Sequence, residues 1–216
     1  DRMRVLKNQI DALLDNLADI FKGVSLLRML PDRTMDEIVS FGERMSSLIV
    51  TALMDKAQRF DSLELVCTVN KNGRNVLDFS TTSMKVKRAF HNFEARAGAS
   101  VAVVPGFISR DASTGDITNL GRGGSDYTAS VFAAVLNADV LEIWTDVDGF
   151  LTADRRVIKT SYVINELSYR EAMELCNCGA KVIYSPTLYP VRASRIPILI
   201  KNTFNPTAPG TRIDSV

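Results

Sequence analysis

Residues 118–145 read TNLGRGGSDYTASVFAAVLNADVLEIWT, with glycines at 121, 123 and 124, a helical run from about 126 to 137, and a short apolar, β-branched segment over 139–145. A turn, a helix and a strand in direct succession are the unit of an α/β fold. Gly121, Gly123 and Gly124 let the backbone approach a ligand closely, and the start of the helix directs free N–H groups and a partial positive charge at it. An anion suits that place. Arg122 adds a planar fork of donors matched to a carboxylate or phosphate, while Ser125 and Asp126 are candidate helix caps. A capped glycine turn with a surface arginine explains the same residues locally. Neither a phosphate-binding GxxxxGK[ST] loop nor a full dinucleotide fingerprint is present.

Outward from this unit the alternation continues. LELVCTV (63–69), SVAVVPGF (100–107), DVLEIWT (139–145) and IPILIKN (196–202) read as strands buried on both faces. Helices are expected over about 81–97, 126–137, 168–178 and 187–194, the third opened by a Ser168 to Glu171 capping box. Two helices precede them: one carrying Leu6, Ile10, Leu13, Leu17 and Ile20 and ended by Gly23, the other following Gly42 with Met45, Leu48, Ile49 and Ala52. Residues 109–122 and 149–160 are turn-rich and read as hairpins or loops. The pattern predicts α/β architecture with a mainly parallel sheet and one domain.

Composition narrows function. The 216 residues carry 26 basic and 25 acidic side chains, a net charge of +1, so no global field favours nucleic acid or an anionic membrane. No apolar run is long enough to span a bilayer. Cys67, Cys176 and Cys178 have no framework spacing and read as reduced, buried or half-buried thiols of a cytoplasmic protein. His91, the only histidine, lies in an amphipathic helical stretch and reads as surface or core filler, which leaves a histidine-bound zinc site without ligands.

In open α/β sheets ligands bind outside the carboxyl ends of the strands, which directs attention to two further loops. In WTDVDGFLTADRR, Thr145, Asp146, Asp148 and Asp154 set acceptors for sugar hydroxyls beside Arg156, a phosphate partner, although a solvated turn would look alike. In CGAKVIYSP, Gly179 ends a helix and Lys181 follows, either as a phosphate ligand or as a partner of the helix dipole. Arg122, Arg156 and Lys181 together suggest a local electropositive focus suited to phosphoryl transfer, where positioning and charge supply most of the catalysis.

SFGERMSS, LGRGGSDYTAS, EIWTDVDGFLTADRR, LSYREAMELCNCGAKVIYSPT and IKNTFNPTAPGT, in order from residue 40 to 211, resemble the catalytic domain of aspartate kinase in the amino acid kinase family. The last of them is most similar to the type fused to homoserine dehydrogenase. The resemblance implies a three-layer α/β/α sandwich and ATP-dependent phosphorylation of the L-aspartate side-chain carboxylate to 4-phospho-L-aspartate, the committed step toward lysine, threonine and methionine. It implies magnesium held mainly by the ATP phosphates, a homodimer or higher homo-oligomer, and no nucleic-acid or membrane partner. It assigns Glu43 to the ammonium and Arg122 to the carboxylate of aspartate, with Gly123, Gly124, Ser125 and Asp126 completing the substrate site. Thr145, Asp146, Gly149, Asp154, Arg156 and Lys181 fall to the nucleotide site, and Arg122, Asp126 and Lys181 to catalysis. Leu151, Arg155 and Tyr184 stand where family members carry Tyr, Pro and His. The family's KFGGTS strand and ACT regulatory domains have no counterpart, so residues 1–216 are expected to be a catalytic fragment that turns over little alone. Acetylglutamate, glutamate, carbamate or uridylate acceptors, and a binding module without catalysis, are the alternative expectations.

Overall fold

A computed structural model describes residues 2–94, 101–154 and 156–215. They form two compact units, Asp1–Ser125 and Asp126–Val216.

The first unit opens with a helical hairpin, α1 (Arg2–Leu27) and α2 (Asp32–Leu53). Helix α1 runs through Gly23 instead of ending there, because one interior glycine costs only about 1 kcal/mol and a partner helix is at hand. The chain reverses at Arg28, in left-handed conformation, and extended Pro31 starts α2 well before the expected Gly42. Phe41 is buried and Gly42 sits within the helix. Three strands follow, β1 (Ala57–Arg59), β2 (Cys67–Lys71) and β3 (Arg74–Leu77), with the single helical turn α3 (Ser62–Leu65) between the first two. The expected strand over 63–69 is thus half helix: the Asp61 carboxylate accepts the Leu63 N–H at 3.0 Å and caps a turn that buries Leu63 and Leu65. Helix α4 (Phe79–Glu94) matches its expectation as far as it is described; residues 95–97, and residue 100 of the next expected strand, lie outside the described residues.

Strand β4 (Val101–Val103) pairs in parallel with β1. Strands β5 (Ile108–Asp111) and β6 (Ile117–Asn119) form a hairpin whose turn is held by the Asp111 carboxylate, acceptor of the Ser113 and Thr114 N–H groups at 2.8 and 2.9 Å. The sheet order is β3-β2-β5-β6, with β2 and β5 parallel.

Helix α5 (Gly124–Leu136) leads into the second unit, where β7 (Leu141–Thr145), β8 (Glu166–Ser168), β9 (Ile198–Asn202) and β10 (Thr211–Asp214) pair in the order β7-β9-β10-β8. Helix α6 (Tyr169–Asn177) carries the expected capping box, and α7 (Leu188–Ser194) follows a 3-10 turn. Ile198, Ile200 and Ile213 are fully buried and centre the core with Phe150, Leu188 and Val191. Among the described strands four pairs are parallel and three antiparallel, so this is an α/β fold of mixed sheets in which the expected parallel pairing is the majority. Strand β7 is buried on one face only, with Glu142 and Trp144 outward; the Leu-Glu-Ile-Trp-Thr alternation already carried that signal. The thiol expectation also needs adjustment: Cys67 is buried and Cys176 half-buried, but Cys178 is exposed at the end of α6.

Candidate functional site

The glycine turn lies between β6 and α5. Gly121 and Gly123 both take left-handed φ, 71° and 67°, which a side chain would resist, and the Gly124 N–H donates to the Gly121 carbonyl at 3.0 Å. Gly124 is buried, and a Cβ there would meet Phe107 Cδ2 at 3.0 Å and Leu120 Cβ at 3.1 Å. Between Gly121 and Gly123 Arg122 stands exposed to solvent. Helix α5 starts at Gly124, so Ser125 and Asp126 occupy its first turn rather than the cap position expected of them. Burial raises the Asp126 carboxyl above the usual carboxylate range.

Glu43 lies on α2, half-buried, and burial raises its carboxyl too. Arg44 beside it stacks its guanidinium 4.7 Å from the centre of the Phe41 ring and is lowered by desolvation. The first unit therefore contains Glu43, Arg122, Gly123, Gly124 and Ser125.

In the second unit a cavity of about 610 Å³ is lined by Asp146, Asp148, Gly149, Asp154, Arg156 and Lys181, with Phe150, Leu151 and Val182 as apolar wall. Five of the six residues assigned from sequence to a nucleotide meet here. The sixth, Thr145, ends β7 beside the cavity and donates its hydroxyl to Asp146 at 3.3 Å. Among the described residues the lining holds three carboxylates, Asp146, Asp148 and Asp154, and two cations, Arg156 and Lys181. Arg156 is engaged as well: its Nη2 and Nε donate to the Asp154 carboxylate at 2.7 and 3.1 Å. Asn202, which has no role in the sequence reading, also lines the cavity and donates to Asp148 Oδ1 at 2.8 Å, with Asn205 as a second donor at 3.3 Å. Its signal lay in the IKNTFNPT stretch, where Asn202 ends a strand and Asn205 follows three residues later. Arg155 lies outside the described residues.

The Arg156 side chain, its backbone N–H and the nearby Lys181 charge hold Asp154 down to about 2. Because the folded pKa is depressed, the pair favours this loop above the ordinary value near 3.8, and that contribution is lost as pH falls through about 2. Both groups are solvent-exposed, so the effect on global stability is small. We expect the Asp154 carboxyl carbon to titrate near 2 by NMR, and Arg156→Ala to return it toward 3.8; a midpoint unmoved by the substitution would contradict the pairing.

Among the described residues no three His, Cys, Asp or Glu side chains gather to hold a metal ion. No helix of the described residues is long and apolar enough to cross a membrane.

The sequence matches the amino acid kinase family over residues 5–202. It is 35% identical to aspartokinase 1, chloroplastic, of Arabidopsis thaliana over 93% of this chain and 36% of that protein. To the bifunctional aspartokinase/homoserine dehydrogenase of Haemophilus influenzae it is 50% identical over 53% of this chain and 14% of that protein. Among solved structures, Escherichia coli aspartokinase III in complex with aspartate and ADP superposes with a TM-score of 0.88 at 32% identity, over 98% of this chain and 47% of that one. The chain thus spans less than half the length of each of these relatives. The match over residues 5–202 and the shared fold make the chain a member of the amino acid kinase family, similar within it to aspartokinases.

Proposed function

We propose that residues 1–216 are the catalytic region of an aspartate kinase, which transfers the γ-phosphoryl group of ATP to the side-chain carboxylate of L-aspartate and yields ADP and 4-phospho-L-aspartate. The observation that carries this reading is the cavity joining Asp146, Gly149, Asp154, Arg156 and Lys181 in a chain so similar to an aspartokinase solved with aspartate and ADP. Phe150, Leu151 and Val182 offer the nucleotide an apolar wall, and the carboxylates offer acceptors for its hydroxyls. Lys181 and Arg156 offset phosphate charge, Arg156 by turning from Asp154 toward the nucleotide. The carboxylates beside them favour phosphates that arrive as their magnesium complex.

In this reading Arg122 grips the α-carboxylate of aspartate with its two-pronged fork and Glu43 takes the α-ammonium. Gly123, Gly124, Ser125 and Asp126 shape the acceptor side, and no covalent enzyme intermediate is needed because the substrate carboxylate is itself the nucleophile. The product feeds lysine, threonine and methionine synthesis. The family resemblance supports a homo-oligomer, and the three free thiols suit a reducing compartment such as the cytoplasm.

Magnesium- and ATP-dependent ADP release by the full-length polypeptide that carries this sequence, with aspartate, glutamate, acetylglutamate and uridylate offered separately, tests the reading. Release with aspartate alone supports it. Release with another acceptor keeps the fold and overturns the substrate, and silence with all four leaves a binding module.

Glu43 gives a further test. Its carboxyl is raised by burial, so ionised Glu43 opposes folding once the pH exceeds its pKa, until an ammonium arrives to pair with it. Glu43→Gln is expected to leave the ligand-free melting temperature at pH 7 unchanged or higher, while the aspartate KM rises about tenfold or more. A lower melting temperature with an unchanged KM would make Glu43 a structural residue.

A further inference from the structure

A chain of hydrogen bonds in the first unit ties together the two elements to which the contacts with aspartate are assigned. Asp36 lies on α2 seven residues before Glu43, and positions 36, 40 and 43 recur at helical spacing on one face, with about 10 Å of axial rise between the ends. The Asp36 Oδ1 accepts from Nδ2 of Asn119, the last residue of β6, and its Oδ2 accepts from Asn75 Nδ2 of β3 at 3.3 Å. Asn119 then uses its other amide atom, Oδ1, to accept the Gly121 N–H at 2.9 Å, where the glycine turn begins. Arg33, near the start of α2, pairs with Asp116 of the β5–β6 hairpin at 2.7 Å, a further tie of α2 to the hairpin that leads into the glycine turn.

The charge at position 36 matters for a directional reason. An ionised carboxylate only accepts, so Asn119 must present its NH₂ group to Asp36 and therefore its carbonyl oxygen to Gly121. With the amide turned round, both contacts would set acceptor against acceptor or donor against donor. Burial raises the Asp36 carboxyl and the two asparagine donors lower it, so they offset part of the desolvation of its ionised form.

We infer that Asp36 is a positioning residue which, by fixing the orientation of the Asn119 amide, holds the Gly121–Arg122 backbone in register with Glu43, so that both ends of the acceptor amino acid are gripped by one frame. This rests on the proposed aspartate reading, while the loop-holding part stands on the geometry alone.

The test uses the full-length polypeptide with D36A, D36N, N119D and the exchanged pair D36N/N119D. In the exchanged pair the carboxylate now at position 119 accepts from both the amide now at position 36 and the Gly121 N–H, so the two contacts are again donor to acceptor. Amide exchange over residues 117–123 is expected to quicken at least tenfold in D36A and N119D, and to return within threefold of wild type in the exchanged pair. The aspartate KM is expected to rise about tenfold in the same two variants and recover in the exchange, with the ATP KM and kcat within about twofold throughout. D36N, whose amide can still present its oxygen to Asn119, is expected to fall between. Unchanged exchange in D36A overturns the loop-holding role. Faster exchange with an unmoved aspartate KM, or equal rises for both substrates, overturns the positioning role, as does an exchanged pair no better than D36A. Absence of aspartate-dependent turnover in the wild type would sink the kinase reading instead, and the exchange data would still decide whether Asp36 holds the turn.

Discussion

Arg122→Ala, in the full-length polypeptide, is expected to raise the aspartate KM roughly 30- to 150-fold and to move the ATP KM by no more than about threefold. The size follows from the bond type: a two-pronged guanidinium–carboxylate contact is worth about 2 to 3 kcal/mol, and each 1.4 kcal/mol is tenfold. The selectivity follows from location. Arg122 stands on the glycine turn of the first unit, whereas the cavity with Arg156 and Lys181 is built by the second. Arg122 is exposed, so its truncation leaves the core untouched and the melting temperature is expected to stay within about 1 °C. Arg122→Lys separates charge from shape: it keeps the cation but loses the fork, and should recover no more than about tenfold of the deficit. Equal losses for aspartate and ATP, or full rescue by lysine, would show that Arg122 contributes only a diffuse positive charge.

How much of this the sequence discloses differs by element. The capping box at Ser168 and the left-handed glycine after α6 are local devices, set by residues within a few positions of one another, and both are legible from the order of the amino acids. The strand over 63–69 is not, because its apolar run fits a buried helical turn as well as a strand and the choice was made by the Asp61 cap. The early start of α2 was hidden by Gly42, which reads as a break but sits within a helix held by tertiary packing. Within the candidate site the residue types were readable and the pairings were not. Asp154 and Arg156 are two positions apart, yet nothing local dictates that they join, and Asp148 with Asn202, or Asp36 with Asn119, meet only after distant strands and helices pack. Sequence thus pointed to the loops after β7 and α6 that line the cavity, while the hydrogen bonds that aim their side chains are products of the fold.

Gly149 shows how closely the cavity loop depends on such distant contacts, and Gly149→Ala is expected to have the largest effect on stability. The residue follows β7, lines the cavity and is buried, with φ at 138°, where a side chain is strained. A Cβ there would lie 2.4 Å from Thr211 Oγ1 and 3.1 Å from the Thr211 backbone nitrogen. That hydroxyl cannot withdraw freely, since it accepts the Phe150 N–H at 2.8 Å and donates to the Ile164 carbonyl at 2.6 Å, joining the loop after β7 to the start of β10. Backbone strain of about 1 to 2 kcal/mol and two weakened hydrogen bonds of about 1 kcal/mol each give a loss of roughly 3 to 4 kcal/mol. For a chain of this size that is about 10 °C in melting temperature, and ATP binding should fall with it because Asp146 and Asp148 share the displaced loop. Gly179→Ala supplies the comparison: Gly179 lines the same cavity at φ 106°, but an added Cβ meets nothing within 4 Å. Strain alone should lower its stability by about 1 to 2 kcal/mol. If the two substitutions cost the same, the collision with Thr211 is not what fixes the loop; if Gly149→Ala is clearly the worse, the cavity owes its shape to a hydroxyl on a strand 62 positions further along the chain.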